Sequence, residues 1–81
     1  MAMAVKAYVL METQVGKISI IVNEISELKG ILSAYTVTGP YDAIVVIEGE
    51  TLAEIGSIIM AITSTVSGIT RTVTCVAVDA S

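Results

Sequence analysis

Eighty-one residues make one domain, 54% hydrophobic and only 15% charged, with a formal net charge of −4, where about 25% charged is usual for a globular domain. The four cations, Lys6, Lys17, Lys29 and Arg71, are scattered along the chain, so the clustered basic footprint that direct nucleic-acid binding requires is missing. With no histidine, no tryptophan and a single cysteine, nucleophilic catalysis on a His base, Cys/His metal sites and an internal disulfide are all excluded.

Met1–Ala4 reads as a frayed start. The run Val5–Glu12 is a strand whose inner part is nearly continuous apolar, the character of a central strand covered on both faces. Val15–Leu28 has helical period. Ile18, Ile21, Val22, Ile25 and Leu28 form one stripe, while Lys17, Ser19, Asn23, Glu24, Ser26 and Glu27 fill the other side. Thr13 is the expected cap and Gly30 the expected stop. Ile20 lies off the stripe and is free to meet a partner.

Ile31–Thr38 is a strand, followed by a tight turn at Thr38-Gly39-Pro40-Tyr41-Asp42 and a second near-continuous apolar strand, Ala43–Glu48. Gly39 can take a positive φ, and Pro40 presets its own φ, about −65°, for a turn. Thr51-Leu52-Ala53-Glu54 is a capping box, and the helix it opens runs to about Thr63 with Leu52, Ile55, Ile58, Ile59 and Ile62 inward. Gly56 within it implies close packing against a strand. Ser64–Gly68 is a loop, Ile69–Val78 the last strand, and Asp79–Ser81 a tail. Cys75, in that strand, reads as a small buried hydrophobe.

The element order is βαββαβ. A shift of about 38 residues lays Ile21 on Ile59, Gly30 on Gly68, Ile31 on Ile69 and Thr36 on Thr74. Two βαβ halves with split connections predict an α+β, ferredoxin-like four-stranded antiparallel sheet with both helices on one face. Right-handed crossovers place the first and third strands at its centre. The other face carries either Tyr8 and Leu10 or Ala7, Val9 and Met11, and needs covering. A second copy packed sheet to sheet does this at about 10 Å spacing, the alternative being an unusually apolar monomer.

Mean hydropathy is +0.87, and no charge occurs between Glu54 and Arg71. Eight Gly, Ser and Thr residues break that gap, so it is not a spanning helix of ~20 mainly apolar residues. No signal peptide is visible; the expected location is the cytoplasm.

The chemistry-bearing features are few. Glu48, Glu50 and Glu54 flank a strand end and a helix start, where carboxylates serve capping and solvation. No glycine-rich phosphate loop occurs, and no metal, cofactor or enzymatic activity is expected. Gly39-Pro40-Tyr41-Asp42 and the alternating Thr70, Thr72 and Thr74 remain. By themselves they are a turn with Asp42 bonding local amides, and β-forming threonines on a half-wet face. Together they offer what a small zwitterion requires: a carboxylate for an ammonium, and amides and hydroxyls for a carboxylate.

Val37-Thr38-Gly39-Pro40-Tyr41-Asp42-Ala43-Ile44-Val45-Val46-Ile47, followed by a helix and then Gly68-Ile69-Thr70-Arg71-Thr72-Val73-Thr74, resembles the C-terminal effector domain (RAM) of the Lrp/AsnC family of transcription regulators. Ala7-Tyr8-Val9-Leu10-Met11 and Gly16 are similar too, and the likeness runs from about Val5 to Val78. It implies sheet-to-sheet dimers assembled into rings of eight or ten chains, with amino acids or related metabolites bound between dimers. The matching ligand-binding positions are Gly39, Tyr41 and Asp42 on the turn, and Thr72 and Thr74 on the last strand. Asp42 would take the ligand's ammonium, amides near Gly39 its carboxylate, and the threonines the remainder; Arg71 would serve structure or the interface. Family regulators carry an N-terminal helix-turn-helix, whereas this sequence opens almost directly on a strand. The expectation is therefore a stand-alone module that acts on transcription indirectly, through full-length Lrp/AsnC partners. Alternatives are an assembly partner without ligand, or a small dimeric α+β-barrel enzyme, against which the lack of His and Trp counts.

Overall fold

The computed structural model describes residues 4–78; the expected frayed start at residues 1–3 and the tail at 79–81 lie outside the described residues. The elements are β1 (Val5–Thr13), α1 (Ile18–Ser26), β2 (Ile31–Thr36), β3 (Ala43–Gly49), α2 (Leu52–Thr65) and β4 (Ile69–Val76). They build an antiparallel sheet in the order β2-β3-β1-β4, the ferredoxin-like arrangement expected. The two most apolar strands, β1 and β3, are central, because only a central strand is paired on both sides and able to bury both faces.

Alternation divides the sheet into two surfaces. Ala7, Val9 and Met11 of β1 and Ala43, Val45 and Ile47 of β3 are fully buried beneath Ile21 and Ile25 of α1 and Ile55 and Ile62 of α2. Ile18, Val22, Leu28, Ile58 and Ile59 pack against this core, so the α1 stripe and most of the α2 stripe face inward as their period demands. Leu52 does not: it is 64% exposed. A helical side chain tilts toward the N-terminus, and from the first residue of α2 that direction leads past the helix end. Gly56, too, has no neighbour where a Cβ would stand. It lies on the outer face, not against a strand.

The opposite surface is left open. Tyr35, Ile44, Leu10 and Val73 form one row across the four strands, and Ser33, Val46, Tyr8 and Cys75 form the next. Lys6 and Glu48 pair at one end of this apolar centre. At the other, the Arg71 guanidinium lies 3.4 Å from Glu12. Cys75 is exposed, contrary to the buried hydrophobe expected, because its parity puts it on this open surface of an outer strand.

The helix ends show how local chemistry sets the boundaries. Thr51 accepts from the Glu54 amide at 3.1 Å, and the Glu54 carboxylate reaches back to the Glu50 amide at 3.3 Å. This is the capping box, with its return bond one residue earlier than expected. Nothing similar opens α1. Thr13, the expected cap, is the last residue of β1, and α1 begins after Lys17 without a side-chain cap. Its far end tightens through Glu27 N–H to Glu24 and Leu28 N–H to Ile25, the short-range closure of a helix terminus. Gly30, at φ +91°, then turns the chain into β2. A register shift between Ile31 and Ser33 bulges β2, and a second separates Glu12 from Thr13 opposite β4. Among the described residues no helix is long and apolar enough to cross a membrane.

Candidate functional site

The β2–β3 connection is wider than a tight turn. β2 stops at Thr36 and β3 starts at Ala43, and the six-residue loop between them is closed at its base by Val37 N–H to the Asp42 carbonyl at 3.0 Å. Gly39 sits at the exposed tip with φ +140° and open space around it, a conformation that favours glycine. Tyr41 is half-buried.

Asp42 is the anchor. Its amide donates to the Met11 carbonyl at 2.8 Å. Its Oδ2 accepts from the Thr13 amide at 2.9 Å and from the Thr13 hydroxyl at 3.5 Å. The carboxylate therefore bonds backbone 29 residues away and ties the β2–β3 loop to the end of β1. Beside it opens a cleft of about 310 Å³, lined by Thr13, Gln14, Val15, Gly16, Ile18, Thr36, Val37 and Asp42. Gly16, at φ +82°, gives the β1–α1 loop the bend that forms one wall. The loop is held at two points, with Gln14 N–H on the Gly68 carbonyl at 2.8 Å and Lys17 N–H on the Gln14 carbonyl at 3.1 Å.

The remaining expected residues lie elsewhere. Thr72 pairs with Met11 and Thr74 with Val9, so both threonines occupy the helix-side surface of β4, half-wet because β4 is an outer strand. Asp42 and Thr72 flank β1 from opposite sides, about 10 Å apart at ~4.8 Å per strand. Thr70 leaves the row: Ile69 opposite Thr13 packs inward after the register shift, and the Thr70 hydroxyl donates to the Glu12 carbonyl at 3.1 Å. Within one chain, then, Asp42 is at the cleft, Gly39 and Tyr41 are not among its lining residues, and Thr72 and Thr74 are separate from it. Thr13, Gln14, Val15, Ile18, Thr36 and Val37 line it without having been named as site residues; Gly16 and Val37, already notable as similar positions, were the signals available.

A second hollow, about 520 Å³, lies between the end of α1 and α2 and is lined by Leu28, Lys29, Gly30, Glu48, Glu54, Ser57, Ile58 and Ala61. Among the described residues no three His, Cys, Asp or Glu side chains come together to hold a metal ion.

The family described as the Lrp/AsnC ligand binding domain matches residues 6–80. The chain belongs to this family. No curated protein matches it by sequence. Among solved structures, TTHA0845 from Thermus thermophilus superposes with a TM-score of 0.88 at 26% identity, over 95% of this chain and 96% of that one. The hypothetical protein PHS023 from Pyrococcus horikoshii gives 0.84 at 30% identity, over 94% and 92%. The transcriptional regulator NMB0573 from Neisseria meningitidis, in its complex with L-Met, gives 0.79 at 9% identity, a likeness of fold alone. This Lrp/AsnC domain is matched there over 93% of its own length but spans only 50% of that regulator.

Proposed function

We propose that this domain binds an amino acid or a related small metabolite, that it assembles through its open sheet surface, and that occupancy biases assembly. Transcriptional output would then follow indirectly, through Lrp/AsnC partners in the cytoplasm. Membership of a ligand-binding family over residues 6–80 is the observation that carries this reading. The open sheet surface supports the assembly half: Tyr8, Leu10, Ile44, Val46 and Val73 form an apolar centre between the Lys6/Glu48 and Arg71/Glu12 ends, the core-and-rim composition of a protein interface. A second copy laid sheet to sheet covers it.

The separation of Asp42 from Thr72 and Thr74 supports a shared site. Asp42, Gly39 and Tyr41 of one dimer would face Thr72 and Thr74 of a neighbouring dimer, with the ammonium on Asp42 and the carboxylate on the amides near Gly39. The L-Met complex of NMB0573 makes amino acids the first compounds to test. A ligand bound between dimers favours the larger ring, of eight or ten chains, by mass action. Sedimentation velocity at micromolar protein, with and without each of the twenty amino acids, tests both halves. A dimer that shifts to a larger species with at least one amino acid is the expected result. A lone monomer refutes the sheet-to-sheet dimer, and a distribution unmoved by any amino acid refutes the linkage. Leu10→Asp should return the dimer to monomer.

A further inference from the structure

We propose that the outer face of α2 and the hollow beside it form a second self-association surface, on which the same face of another copy of this chain packs antiparallel about a two-fold axis. α2 holds a single charged residue, Glu54, in its 14 positions, whereas the solvent side of a surface helix is ordinarily charged. α1 follows the ordinary pattern, with Lys17 before it and Glu24 and Glu27 along and after it exposed. On α2 the outer positions are Ala53, Gly56, Ser57, Met60 and Ser64, and Met60 is 71% exposed. The hydroxyls of this face are already bonded within the helix: Ser57 donates to the Ala53 carbonyl at 3.1 Å and Ser64 to the Ala61 carbonyl at 3.4 Å. Burying them therefore strands no donor. Gly56, inside a helix, is destabilising relative to alanine, and nothing lies within 4 Å of where its Cβ would stand. No packing inside the chain offsets that loss, whereas the close approach of another helix does.

The hollow gives this face a shape that fits itself. Leu28, Ile58 and Ala61 supply its apolar lining, and Lys29 and Glu54 border it. Met60 projects from the adjoining face. In a two-fold contact residue i meets j and j meets i, so Met60 of each copy enters the hollow of the other. Charge identifies the occupant. Among the described residues neither Lys29 nor Glu54 takes part in an ion pair, and both lie on the same flank of α2. Antiparallel packing sets Lys29 of one copy against Glu54 of the other, twice, and leaves the contact without net charge. A uniformly acidic or basic partner would leave one of the two unanswered. The surface lies on the helix side of the sheet, away from the open sheet surface, so it joins one sheet-to-sheet dimer to the next and needs no effector.

The test is sedimentation velocity of the purified full chain, without added ligand, over a series from micromolar to near-millimolar protein. A species larger than the dimer is expected to grow with concentration and to weaken at high salt. Gly56→Arg should weaken this association about 10-fold or more. Its unfolding temperature should be unchanged or raised, because the new side chain has open space in its own chain and arginine is the better helix former. Met60→Lys should weaken association similarly. Lys29→Glu should weaken it about 5-fold, and Lys29→Glu combined with Glu54→Lys should recover most of that loss. If the wild-type chain forms nothing beyond the dimer at the top of the series, or if Gly56→Arg and Met60→Lys associate as wild type does, the surface is refuted. If the double variant associates no better than Lys29→Glu alone, the two-fold pairing is refuted. A monomer that pairs once, and whose pairing Gly56→Arg abolishes, would uphold the α2 contact and overturn the sheet-to-sheet dimer instead.

Discussion

β1–α1–β2 and β3–α2–β4 pass through the same elements, and each reaches its outer strand through a glycine of positive φ, Gly30 at 91° and Gly68 at 98°. Their strand-to-helix connections differ. In the second half, Thr51 and Glu54 close the start of a 14-residue helix on itself. In the first, the 9-residue helix starts without a side-chain cap, its loop is fastened instead by bonds to Asp42 and Gly68, and a cleft remains beside it. A repeated fold thus spends one connection on local closure and leaves the other bordered by unpaired polar groups. Function should concentrate where the local chemistry is incomplete.

Substitutions can break or sharpen that contrast. The largest effect belongs to what the halves share: Ile25→Ala in α1 and Ile62→Ala in α2, both fully buried, should each cost about 2–5 kcal/mol in urea denaturation at fixed protein concentration. A large inequality would mean that one helix carries the core. Next come the glycines. A Cβ on Gly30 would lie 2.5 Å from Ile58 Cδ1, whereas one on Gly68 would lie 3.1 Å from Ile21 Cδ1. Gly30→Ala should therefore cost about 2 kcal/mol and Gly68→Ala about 1 kcal/mol, both including the left-handed backbone penalty. Equal losses would mean that backbone strain alone decides. The smallest effect tests the caps. Thr51→Ala should lose about 1 kcal/mol, and Lys17→Ala should stay within about 0.5 kcal/mol, since Lys17 offers its helix no side-chain bond. If Lys17→Ala costs as much as Thr51→Ala, the two starts are not different in kind.

The element order, the central strands and the α1 stripe were legible in the sequence because period and apolar runs report burial directly. The parity of β1 was not: Tyr8-Val9-Leu10-Met11 is apolar at every position, and only the helices show that Val9 and Met11 are covered while Tyr8 and Leu10 are open. The same ambiguity misplaced Cys75. Leu52 obeys the period yet is exposed, because a stripe has ends and period carries no information about them. In the site, Asp42 stood out from the sequence, but its partner Thr13 lies 29 residues away and looked like a helix cap. Gln14 and Thr36 carry no signal of their own; they line the cleft only because the topology brings the ends of β1 and β2 to the same side of Asp42. Thr72 and Thr74 kept their shared face, and the register shift opposite Thr13 took Thr70 out of it.

The bulge at Ile31–Ser33 has a consequence for the behaviour of the chain in bulk. A sheet of this composition ends in two rows of unpaired backbone groups, and a straight apolar border would recruit the next molecule strand by strand into an open-ended fibre. In β2 the pairing with β3 slips at Leu32, which is 53% exposed, and the strand bends there. On the β4 border Thr70 and Arg71 stand beside the other slip. An irregular pairing in each outer strand bends it away from the straight border that strand-by-strand growth requires.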